Sequence, residues 1–191
     1  MTEEKTLSPQ ESLELISRTI QHTRDNFRGN STYFLLWGWL IALASFGFFG
    51  LQQFTSFQYY FLPFPILVAT GIIASLLIYA KGKKAQPIES YAGYFFSRLW
   101  LVLGIGFHVI VFVSVSQKLS PFTYTLILAA IGTLSTGLNI RFNPLIIGGI
   151  LFFISAIVSI YLPDAYKPLL SGFAIMGGYL VPGYLLKNSS L

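Results

Sequence analysis

After a polar first stretch, the chain settles into six long apolar runs separated by short polar breaks. The runs are Tyr33–Leu51, Tyr59–Ala80, Tyr94–Ser116, Pro121–Leu138, Pro144–Leu162 and Tyr166–Leu186. Each approaches the ~17–25 residues that an α-helix needs to cross a hydrocarbon core. Only Asn139-Ile140-Arg141-Phe142-Asn143 separates the fourth run from the fifth, so these two form an antiparallel hairpin. The pattern predicts an all-α polytopic membrane protein, with six transmembrane helices in three hairpins and an amphipathic helix at the N-terminus. The hairpins run from Tyr33 to Lys81, Tyr94 to Arg141 and Asn143 to Lys187, a regularity that an internal triplication would produce. Residues 1–32 read as a cytoplasmic segment, 33–187 as the membrane domain and 188–191 as a tail.

Within the first segment, Ser8-Pro9-Gln10-Glu11 is a helix start, with Ser8 as cap, Pro9 in the first turn and Glu11 closing a capping box. Leu13, Ile16, Ile20, Thr23 and Phe27 follow at spacings that draw one stripe along a helix face. Gly29 and Asn30 predict its end. The stripe of residues 9–28 can lie on the membrane, pack across the bundle mouth, or pair with a second copy or a protein partner.

Composition agrees with lipid as solvent. Of 191 residues, 54% are hydrophobic and 10% charged, against ~25% charged in soluble domains. The absence of cysteine rules out disulfides and thiolate chemistry. The early sequence has no apolar core of the signal-peptide kind. The net charge of +5 matters less than its placement. With the N-terminus inside, the inner side holds Lys5, Arg18, Arg24, Arg28, Lys81, Lys83, Lys84, Arg98, Arg141 and Lys187, and the outer side only Lys118 and Lys167. Ten against two predicts that both termini are cytoplasmic. Tyr33, Trp37, Tyr94 and Tyr184 would lie at the inner interface, and Tyr59, Tyr60, Tyr161 and Tyr166 at the outer one.

Candidate chemistry inside the membrane is sparse. The seven acids, Glu3, Glu4, Glu11, Glu14, Asp25, Glu89 and Asp164, all fall in tails or loops. That argues against a proton- or sodium-coupled pump. No nucleotide-binding or zincin motif occurs, and no cofactor is implied. His108 is the one ionisable group deep in a span. Its expected role is a hydrogen bond to a neighbouring helix, with a transport or ligand role as the alternative. His22 lies in the N-terminal segment, so His108 cannot form a metal site with it. Ser114, Thr133 and Ser135 join His108 as candidate polar lining. Lys81, Lys83, Lys84, Arg98 and Arg141 are candidate contacts for lipid headgroups, possible anionic partners included. Repeated small residues, such as Gly148-Gly149 and Gly177-Gly178, predict close helix packing. Pro182-Gly183 predicts a kink or unwinding near the end of the last helix.

Gly132–Gly137, with Ser135 on the fourth helix, resembles the rhomboid protease serine segment. The glycine spacing departs from that pattern, and the histidine stands on the third helix. By ~1.5 Å rise per residue, His108 and Ser135 also differ in depth by about 10–15 Å. A serine must reach its base, so a protease is excluded. The stretches Tyr33–Trp39, Pro144–Gly149 and Gly178–Tyr184 resemble a family of small, uncharacterised bacterial membrane proteins, a likeness that implies no activity. The three-hairpin plan is similar to that of the HdeD-like membrane proteins. The function expected is non-enzymatic binding, assembly, sensing or stress response in the membrane. A passive transporter or channel for a small or lipidic solute is the alternative.

Overall fold

The computed structural model describes residues 9–85 and 91–188, with side chains at 31–81 and 93–188. The helices are α1 (Pro9–Phe54), α2 (Pro63–Ala85), α3 (Tyr91–Ser116), α4 (Phe122–Ile140) and α5 (Asn143–Ile160). A 3₁₀ turn at Asp164–Tyr166 then leads into α6 (Lys167–Ile175), a π turn (Met176–Leu180) and α7 (Val181–Asn188). Among the described residues, six stretches are long and apolar enough to span a membrane: Ser31–Phe54, Pro63–Lys81, Gly93–Ser116, Phe122–Ile140, Asn143–Ile160 and Asp164–Asn188. The chain is an all-α polytopic bundle, as its hydropathy predicts.

Two boundaries differ from the sequence reading. Gly29 and Asn30 do not end the first helix, because α1 runs unbroken from Pro9 to Phe54. A glycine inside a helix costs ~1 kcal/mol relative to alanine. A break there would leave the last four carbonyls of one helix and the first four N–H groups of the next without helical partners at the edge of the hydrocarbon. The second span starts at Pro63 rather than Tyr59. Residues 59–62 form a turn, with Leu62 N–H bonded to the Tyr59 carbonyl at 3.0 Å, and proline suits the first turn that follows.

The core consists of α1, α4, α5 and the α6–π–α7 span. Of the apolar stretch in that last span, 56% is buried, against 6% in α2 and 11% in α3. The two outer helices therefore flank the core, α2 on α1 and α3 mainly on α4. The three hairpins are not packed alike. Glycine makes the close approaches. A methyl group on Gly137 would lie 2.7 Å from the Ile146 nitrogen, and one on Gly149 2.7 Å from Leu134 Cβ, so α4 and α5 nearly touch by backbone. One on Gly148 would lie 2.7 Å from the Gly178 carbonyl oxygen. α1 lies antiparallel to α6–π–α7, with Phe46 on Gly172, Leu180 on Gly38 and Leu35 on Gly183.

Aromatic rings fill the junction of these helices. Phe34 meets Phe96, Trp100 and Tyr179 at centroid distances of 5.9, 5.7 and 5.8 Å. Phe152 stands edge-on to Tyr179 at 4.9 Å. The inward face of α3 is Phe96, Trp100, Leu103 and Phe107, with Ser114 two turns further on.

The π turn has a sequence cause. Pro182 has no N–H for the carbonyl of Gly178, four residues earlier. The helix widens just before it, and Val181 N–H bonds to the Met176 carbonyl five residues back. The distortion expected near Pro182-Gly183 is present, but lies one turn deeper than the proline. α3 and α4 both end in a left-handed residue that is not glycine, Lys118 (φ 57°) and Arg141 (φ 53°). Leu119 N–H bonds to the Ser114 carbonyl at 2.8 Å, and Phe142 N–H to that of Gly137 at 2.9 Å. These are Schellman closures with a cation in the usual glycine place.

Candidate functional site

The indoles bond to hydroxyl groups of neighbouring helices, and several hydroxyl groups donate to carbonyls of their own helix. Each of the three tryptophans donates to a different helix. Trp37 Nε1–H reaches Ser75 Oγ on α2 at 3.0 Å, and Trp39 Nε1–H reaches the Tyr184 hydroxyl on α7 at 3.2 Å. Trp100 Nε1–H reaches Thr136 Oγ1 on α4 at 3.2 Å. Thr136 in turn donates to the Gly132 carbonyl at 2.7 Å. Ser159 on α5 lies 2.8 Å from Thr123 Oγ1 on α4. These cross-links were not legible in the sequence, because they depend on which helices are neighbours.

The candidate lining residues do not converge on one face. Thr133 is fully buried and donates to the Ala129 carbonyl at 2.7 Å. It also shares a side-chain hydrogen bond with Tyr179. Ser114 is buried on the inward side of α3, and Ser135 is half-buried. His108 is exposed on the outward side. Its expected bond to a neighbouring helix is not formed. Nδ1 instead lies 2.8 Å from the Gly104 carbonyl of its own helix. A carbonyl only accepts, so Nδ1 carries the proton in this bond. The reason lies in α3, which is apolar on nearly every side. Its pattern alone does not set the inward face, and packing of Trp100 and Leu103 turns His108 away.

Among the described residues, the buried side-chain oxygens of Ser45, Gln52, Ser120 and Ser171 lack a hydrogen-bond partner. Ser45 on α1 and Ser171 on α6 flank the close contact of Phe46 with Gly172. Among the described residues, no group of three His, Asp or Glu could hold a metal ion. Asp164 is paired with Lys167 at 2.7 Å.

Of the expected headgroup contacts, Lys81 and Arg141 are exposed at the ends of α2 and α4. Arg98 lies over the ring of Tyr94, 5.0 Å from its centroid. The side chains of Lys83 and Lys84 are outside the described set. Residues 9–28 have a helical backbone, and their expected stripe of side chains is likewise outside it.

A groove of about 360 Å³ opens at the face of the bundle where α1 enters and α7 ends. Leu35, Leu36, Trp39 and Leu40 form its α1 wall, and Ile78 of α2 faces them. Thr32 and Lys187 stand at its mouth. Lys187 was expected only as an orientation charge, so the sequence reading missed this feature. Searches against family models, curated proteins and solved structures found no match for the chain.

Proposed function

We propose that this is a non-enzymatic membrane protein that works by binding and assembly, set in a bacterial inner membrane with both termini in the cytoplasm. The observation that supports this most is the closed packing of the core. Gly148 and Gly178 meet backbone to backbone, Gly132 is filled by Leu103 and Trp100, and Gly172 by Phe46. A core joined this way gives a rigid platform for surfaces that meet lipid or protein. The segment 9–28 is the surface offered to a protein partner or a second copy. The ten-to-two division of basic residues supports the orientation.

A vesicle experiment tests this reading. Purified protein in sealed liposomes is expected to add no flux of small neutral or charged solutes above empty vesicles. Flux that is abolished by Thr133→Val would overturn it and establish the channel reading. One observation favours that second reading, namely the buried, unpartnered hydroxyls of Ser45 on α1 and Ser171 on α6. If they line a solute path, Ser45→Ala with Ser171→Ala removes a measurable flux. If they are packing sites, the double variant is as impermeable as the parent.

A further inference from the structure

We propose that the groove between α1, α2 and α7 is a site for one anionic phospholipid, its headgroup at Lys187 and its acyl chain along Leu35, Leu36 and Leu40. The inference goes beyond the binding role, and it holds whichever face of the bundle is cytoplasmic.

The shape of the groove follows from how α2 is attached. Gly71 brings α2 against Leu40 and Trp37, where an added methyl group would lie 3.0 Å from each. Trp37 then bonds to Ser75 one turn later. Beyond that turn Ile78 stands across an open space from the α1 wall. On the other side, Trp39 is bonded to Tyr184, which holds α7 against α1. The result is a wedge, closed where α2 meets Trp37 and open at its mouth.

Its polarity is graded as a lipid is. The contact of Gly183 with Leu35 sets the antiparallel register, which brings Thr32 to the level of Lys187. A hydroxyl and an ammonium thus meet at the mouth. Lys81 follows Ile78 by one turn on the same side of α2. Below them the lining is Leu35, Leu36, Leu40 and Ile78. Thr32 to Leu40 rises about 12 Å along the helix, close to the ~15 Å hydrocarbon depth of one leaflet. Two cations at headgroup height favour a phospholipid with net negative charge over a zwitterionic one. The apolar wall below them requires a tail, which free phosphate lacks.

Trp39 reports occupancy. The full chain is placed in phosphatidylcholine vesicles containing a small fraction of acyl-brominated lipid, either phosphatidylglycerol or phosphatidylcholine. Quenching at Trp39 is taken as the difference between the parent and Trp39→Phe. Brominated phosphatidylglycerol is expected to associate about 25-fold better than its neutral counterpart, about fivefold for each of the two surface cations. Lys187→Gln lowers that ratio about fivefold, Lys187→Arg preserves it, and Arg141→Gln, away from the groove, leaves it unchanged. Ile78→Phe fills the groove with the charges intact and lowers quenching by both lipids. Excess inorganic phosphate in the buffer displaces nothing. A ratio of one in the parent, or a ratio unmoved by Lys187→Gln or lost equally with Arg141→Gln, overturns the proposal. So does Ile78→Phe with undiminished quenching, or displacement by phosphate. Circular dichroism of each variant shows that it is folded.

Discussion

Adding one methyl group to different glycines separates two kinds of position. At Gly148 the new carbon would strike the Gly178 carbonyl, which is backbone and cannot swing aside. Overpacking of this kind costs ~1–3 kcal/mol, so Gly148→Ala is expected to lower thermal stability in detergent clearly. At Gly50 and Gly104 nothing lies within 4 Å of the added carbon. There alanine is expected to be neutral, or to stabilise by up to ~1 kcal/mol through helix propensity. If both kinds of variant melted alike, the close backbone packing assigned to Gly148 would be wrong. Arg141 poses the reverse case. Its left-handed backbone suits glycine, so Arg141→Gly relieves a strain of roughly 1 kcal/mol. The same change removes an exposed cation that is expected to meet lipid headgroups. Higher stability in neutral detergent, with a smaller gain in anionic vesicles, is the expected pair of results. The sequence marked Gly148 and Arg141 as a packing residue and a turn. It did not show that the turn needs a positive φ, because arginine is an unusual choice there.

Single helices differ in how firmly they are held. α2 packs mainly on α1, with one ring contact from Phe64 to Phe122 of α4 at 5.6 Å, and Trp37–Ser75 is a side-chain hydrogen bond that ties it to α1. Interhelix bonds in membranes contribute ~0.6 kcal/mol on average. Trp37→Phe is thus expected to leave the bundle folded but to speed hydrogen exchange in α2 more than in α4 or α5. Uniform exchange across all helices would contradict the peripheral place of α2. The π turn offers a further case. Pro182→Ala restores an N–H for the Gly178 carbonyl and favours regular α-helix through Met176–Leu180. That change moves Tyr179 relative to Phe152 and Phe34, and is expected to destabilise the protein despite the better backbone. The spans themselves were legible because hydrocarbon demands long apolar runs. The facing of α3 was not, since a helix apolar on nearly all sides carries no inward stripe. Hence His108 could be placed in depth but not in direction. The π turn was half legible, as a proline late in a span signals a missing bond but not where the helix widens.

For the whole molecule, orientation is the most direct prediction. The chain has no cysteine, so single cysteines can be introduced without a background. Asn139→Cys, next to Arg141, is expected to react with an impermeant maleimide only from the cytoplasmic side, and Gln117→Cys only from outside. The opposite result would reverse the membrane orientation while leaving the bundle intact. The charge count predicts this orientation, whereas nothing in the sequence signals that α1 continues through Gly29. That continuity has a mechanical consequence. At ~1.5 Å per residue, the 46 residues of α1 measure about 69 Å. Of these, Ser31–Phe54 is the stretch long and apolar enough to span a membrane. The remaining stretch, Pro9–Asn30, is a lever of about 33 Å joined without a hinge loop to the helix that carries Phe34 and Trp37. A torque applied to its far end by a bound protein would reach the aromatic junction and the wall of the groove through unbroken backbone. Inserting a flexible glycine-serine linker after Asn30 would cut that transmission while leaving both halves in place.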